Sequence, residues 1–252
     1  MDEGLSPRAQ EPRRPLDTAG PRGIAALPTD GSRHSLALQV LSTEHFSLLT
    51  HRSLAYNEAF TRVGMFLTFL SMSFVAMALL SGAMPIGADF LVIAIIVLGF
   101  DLIIGITTFI RVANANSEDL HAVHGMARIR HGYVELAPET KPYFTSPTYD
   151  DMASVLLAYT TANPGSVRAN ILYGMSSSGG MLGLVVSLVA GAFGAVIALA
   201  VGVSSGFAFT IGAILALLCV VGSFRWALGR AIRNRRALVV NFPAPVGDGG
   251  DR

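Results

Sequence analysis

The sequence predicts an all-α membrane protein: four transmembrane helices in two hairpins, with helices 1 and 2 extended into a small cytoplasmic helical layer. Three observations predict it. Apolar residues make up 52% of the 252 and charged residues only 14%, against roughly 25% charged in a soluble chain, and the mean hydropathy is +0.53. The apolar residues gather into four runs, 63–84, 90–110, 181–203 and 207–223, each near the roughly 17 to 25 residues that span a bilayer core. The basic residues are segregated as well. Seven Lys and Arg precede the first run, five lie between the second and third, six follow the fourth, and the two short connectors hold none. This composition excludes a disordered regulator, a disulfide-stapled secreted domain and a basic nucleic-acid module.

Residues 1–35 carry five prolines and five arginines without an apolar period, so a disordered cytoplasmic tail is expected there. No short apolar stretch with a small-residue cleavage site follows the early arginines, and the first span is expected to direct insertion. Ser42 or Thr43 can cap an amphipathic helix over 36–62 that runs on into the first span. On it, Phe46, Leu49, Ala55, Tyr56 and Phe60 predict an apolar side covered by a neighbouring helix, and Glu58 pairs with Arg62 at i,i+4. The five-residue connector 85–89 makes spans one and two a tight hairpin.

The covering helix is expected to be the proline-free continuation of span two, where Leu120, Val123, Ala127 and Val134 recur at helical spacing. Pro138 and Pro142 end it. Residues 111–176 are thus predicted to be a cytoplasmic helical connector, with a short amphipathic helix at 149–159 and a turn at 163–165. Spans three and four are joined by 204–206 alone, a second hairpin. Residues 224–252 are expected to form a basic juxtamembrane helix and then a disordered tail. Arg225, Arg230, Arg233, Arg235 and Arg236 would contact anionic lipid there, or serve only as topology anchors. The basic residues flank the helix ends, which predicts both termini on the cytoplasmic side of an inner (plasma) membrane.

Leu41, Ser42, Thr43, Glu44 and His45, then Arg52, Ser53, Leu54, Asn57, Glu58, Ala59 and Phe60, resemble a group of uncharacterised bacterial multi-pass, four-span membrane proteins. The similar stretch covers roughly 41–142 and includes Arg130, His131, Tyr133, Glu135, Leu136, Ala137 and Pro138. The resemblance implies a shared fold and brings no activity or catalytic residue with it.

Asp101 is the single acid inside any span, near the centre of the second. An acid at that depth costs about 2.5 to 3.5 kcal/mol, and the apolar residues around it tolerate this cost without explaining it. Counting back from the connector puts Ser73 at the same depth, with no Lys, Arg or His on any span to neutralise the carboxyl group. Asp101 is then either protonated and bonded to serine, as a packing residue, or ionised beside water or a cation, as an ion or proton site assisted by Ser73. Span three repeats Gly179, Gly183, Ser187 and Gly191 every fourth residue, beside Ala190, Gly194, Ala198 and Gly202. Gly183, Ser187, Gly191 and Gly194 are predicted to permit close helix packing, with Gly212 and Ala216 on span four as a matching surface.

Glu118, His121 and His124 have a spacing that can place metal ligands on adjacent helical positions, although a solvated polar face has the same spacing. No phosphate-binding loop, HExxH, GxSxG or CxxC arrangement occurs, and Cys219 is alone, so no enzyme and no cofactor are expected. The leading expectation is an oligomeric ion-conducting or ion/proton-sensing protein. The alternative is a non-catalytic scaffold or regulator whose cytoplasmic helices bind a partner. The expected partners are the lipid bilayer, further copies of the chain and a cytoplasmic protein, with no nucleic acid.

Overall fold

The computed structural model describes residues 30–159 and 177–245. It contains α1 (Asp30–Ala83), α2 (Ala88–Leu136), a 3-10 helix (Pro138–Tyr143), α3 (Met152–Leu157), α4 (Ser178–Ala200) and α5 (Ser205–Ala237), with no strand among the described residues. α1, α2, α4 and α5 are each long and apolar enough to cross a membrane. The turn expected at 163–165 lies outside the described residues, as do 1–29 and 246–252 of the expected tails.

Helix α1 begins at Asp30, so Ser42 and Thr43 are interior residues rather than caps, and 30–35 belong to the helix. The acid in the first turn suits the positive end of the helix dipole, and no proline or glycine beyond Gly31 interrupts the chain before Gly64. At about 1.5 Å per residue, the 54 residues of α1 and 49 of α2 reach about 81 and 74 Å, more than twice the ~30 Å hydrocarbon core.

α1 and α2 lie antiparallel along most of this length. Contacts step back along α1 as they advance along α2: Ser73 meets Asp101, Phe66 meets Gly105, Arg52 meets Asp119, Leu48 meets Gly125 and Leu41 meets Gly132. The buried residues of α2 include Ala94, Leu98, Asp101, Gly105, Thr108 and Val112, and continue through Ala115, Asp119, Ala122, Met126 and Ile129. Their alternating steps of four and three are the heptad seam of a coiled coil. α2 also packs on α4, where Gly99 admits Phe193 and Gly105 admits Val186. α2 is therefore the central helix, and Phe66, Leu98, Val112, Leu182 and Val189 form the core around it.

The apolar side expected on α1 is only partly covered. Ala55 is buried and Tyr56 half-buried, while Phe46, Leu49 and Phe60 remain exposed. α2 lies instead against the neighbouring face, where Ala55 and Ala59 allow close approach and the Arg52–Asp119 pair fixes the rotation. On α2, Val123 and Ala127 are buried as expected for the covered face, and Leu120 and Val134 are half-buried.

The end of the chain also differs from the expectation. Residues 238–245, placed in a disordered tail by their proline content, fold back onto α2. Arg128 bonds the carbonyl of Val239, and Asp150 accepts from the N–H groups of Asn241 and Phe242 at 2.9 and 2.7 Å. The Phe242 ring stacks on His131 at 4.3 Å.

Candidate functional site

Asp101 is fully buried between α1 and α2. Ser73, one position along the seam of α1, donates its Oγ–H to Asp101 Oδ1 at 3.3 Å, so the depth count that pairs these two residues agrees with the geometry. Oδ2 is buried and has no hydrogen-bond partner among the described residues. Two other buried hydroxyls are satisfied locally: Thr108 on α2 donates to Ile104 O and Ser187 on α4 to Gly183 O, both at 2.7 Å. No chain of side-chain hydrogen bonds leads away from Asp101 among the described residues. An open apolar groove of about 310 Å³ beside it is lined by Ser73, Phe69, Met72, Ala76, Ile96, Val97 and Phe100. Removing the serine hydroxyl with Ser73→Ala should lower stability by only about 0.6 kcal/mol, the typical worth of an interhelical hydrogen bond in a membrane. Thermal denaturation of the detergent-solubilised protein measures it.

A second polar pair occupies the same seam nearer the far end of α1. Asp119, 2% exposed, accepts from Arg52 and from the Tyr159 hydroxyl at 2.7 Å. Burial, then the bond to Asp119, pushes the Tyr159 phenol well above its ordinary pKa. Sequence reasoning missed this pair, yet a signal was present. Asp119 lies 18 residues after Asp101 and Arg52 lies 21 before Ser73, that is, about five helical turns and three heptads along. Nearby, Arg111 bridges Glu58 at 2.7 Å and Glu118 at 2.9 Å; Glu58 also meets Arg62 at 3.0 Å, the i,i+4 pair expected from the sequence.

The third cluster is centred on Asp150, which is fully buried. Burial opposes its ionisation, but the N–H of Asn241, the Arg128 guanidinium at 2.8 Å and the N–H of Phe242 together hold its pKa below the ordinary range. His124 Nε2 lies 3.8 Å away and unbonded; burial and then Arg128 hold this imidazole below its usual pKa. The adjoining Asp151 caps α3 through the Ser154 N–H at 3.0 Å and accepts from the Ala244 N–H. Neither acid stood out in the sequence, because each takes part of its hydrogen bonds from a segment about 90 residues away.

The structure does not gather Glu118, His121 and His124 into one cluster of ligands. Glu118 is engaged by Arg111, His121 is exposed and His124 turns to Asp150. Among the described residues no group of three or more His, Cys, Asp or Glu could hold a metal ion. The lipid reading changes for one arginine: Arg230 bonds Asn114 Oδ1 at 2.5 Å and sits over the Trp226 ring, so it joins α5 to α2. Arg225, Arg233, Arg235 and Arg236 are exposed. The small residues of α4 pack within the chain. Gly191 meets Gly212 and Ala216, Gly194 meets Leu215, and Gly183 meets Phe109 and Ser223; Ser187 is buried beside them.

No protein-family model matches the chain, and neither a curated protein nor a solved structure matches it.

Proposed function

We propose that this chain is an integral membrane scaffold, a non-catalytic protein whose two longest helices carry a cytoplasmic platform for a partner. Both termini and the layer formed by the outer parts of α1 and α2, the 3-10 helix, α3 and residues 238–245 face the cytoplasm. The observation that carries this reading is the uninterrupted α1/α2 seam, which joins a bilayer-length apolar stretch to an outer part of similar length without a hinge. In it Asp101–Ser73 and Arg52–Asp119 act as register residues. A polar residue at a core position of a helix pair lowers stability but selects one alignment, and a one-heptad slip would break both pairs at once.

A second reading, an ion- or proton-sensing oligomer, is favoured by one observation, the unpartnered Oδ2 of Asp101. Reconstitution separates the two. The scaffold reading expects liposomes holding the protein to be no more permeable to cations or protons than empty ones. It also expects charge reversal at exposed positions of the outer layer to abolish co-purification of a partner, with Asp101→Asn silent. Protein-dependent flux that Asp101→Asn removes would instead establish the ion reading.

A further inference from the structure

The outer half of α1 carries a second seam that none of the described residues covers. Leu38, Phe46, Leu49, Ser53, Phe60 and Leu67 are all exposed, Phe46 by 65% and Phe60 by 50%. At about 100° per residue they fall within a strip about 80° wide, offset from the face that α2 covers. The strip passes into the apolar span through Leu67 and Phe74 without a break. No charged or histidine residue of α1 falls within the strip, although His45 lies only about 20° from its edge and His34 and Arg52 about 40°. Soluble surfaces rarely leave more than a few hundred Å² of contiguous apolar area uncovered. From Leu38 to Phe74 the strip is about 54 Å long and about 10 Å wide. That gives on the order of 500 Å² before flanking side chains are added, close to the ~800 Å² per partner of a stable interface.

We infer that this face is the interface of a parallel homodimer, with the α1 helices of two copies side by side about a two-fold axis normal to the membrane. Lipid can cover the strip only where it lies inside the membrane, and a soluble protein only where it projects out of it. A second copy presents the matching strip at the same height on both sides of that boundary. A parallel pairing would set like charges against each other if the strip were charged, and it is not. Ser53, flanked seven residues away on each side by Phe46 and Phe60, gives the small-among-large alternation that lets knobs enter holes. The inference rests on the membrane reading but not on the role given to Asp101.

The test uses full-length protein in native membranes. Cys219 is the single cysteine, so Cys219→Ser gives a thiol-free background. Phe46→Cys, Ser53→Cys and Phe60→Cys should then each form same-residue disulfides on mild oxidation, while Ser47→Cys and His51→Cys, exposed on the other side of the helix, should not. The detergent-solubilised protein should have twice the monomer mass, and Phe46→Glu with Phe60→Glu should weaken the dimer at least tenfold without changing helicity. A monomer mass with no crosslinking above the control positions would overturn the dimer, as would crosslinking only to another protein or labelling of position 53 by a lipid-borne probe. Release of the wild-type chain from membranes by alkaline carbonate would show instead that the membrane reading itself had failed.

Discussion

Gly191→Ala is expected to destabilise the α4/α5 pair by about 2 to 3 kcal/mol, at the upper end for an overpacked core, and Gly191→Leu to prevent the pair from closing. A Cβ on Gly191 would sit 2.6 Å from the carbonyl oxygen of Gly212 and 2.7 Å from Ala216 Cβ. The relationship is reciprocal: a Cβ on Gly212 would lie 2.7 Å from Gly191 O and 2.8 Å from Ala195 Cβ. The obstacles are backbone and methyl groups, which have no rotamer to give way. Gly206→Ala, with open space around the glycine, should be tolerated and supplies the control. Thermal denaturation in detergent reads both, and a Gly191→Leu protein as stable as wild type would show that the two backbones do not touch.

Asp150→Ala should detach the end of the chain and cost about 3 kcal/mol. The substitution leaves Arg128 without its carboxylate and the N–H groups of Asn241 and Phe242 without acceptors. Breaking a buried ion pair from one side costs about 3 to 5 kcal/mol, and the lower figure applies because Arg128 is one-third exposed. Limited proteolysis should then cut within 238–245 faster than in the wild-type protein. The same contact predicts an acid dependence. The pKa of Asp150 is lower in the folded protein than in the unfolded chain, so its contribution is complete above the unfolded value. It is lost as pH falls through the folded one. Protection of 238–245 should therefore weaken in acid in the wild type and be absent at every pH in Asp150→Ala.

The sequence made the apolar helices legible because length and hydropathy decide them locally: each of the four apolar runs falls almost wholly within one of α1, α2, α4 and α5. The pairing of Asp101 with Ser73 was also legible, since a short connector between two helices fixes register by counting. The side of α1 that α2 covers was not. Phe46, Leu49 and Phe60 are the more hydrophobic residues, but Ala55, Ala59 and the Arg52–Asp119 pair set the rotation. Hydrophobic pattern alone does not distinguish a face covered from within the chain from one left for another molecule. The docking of Phe242 on His131 was equally hidden. It depends on Asp150, an acid in a loop, meeting two backbone N–H groups remote in sequence, and no periodicity records such a contact.

The central claim is that α1 and α2 form one continuous seam from their apolar spans to the far end of their polar outer parts. In a Cys219→Ser background, cysteine pairs at 73 and 101 and at 48 and 125 can be treated with a short thiol-specific crosslinker in native membranes. Efficient intramolecular crosslinking of both pairs is predicted. Crosslinking at 73 and 101 with none at 48 and 125 would mean that the helices part outside the bilayer, and would contradict the account.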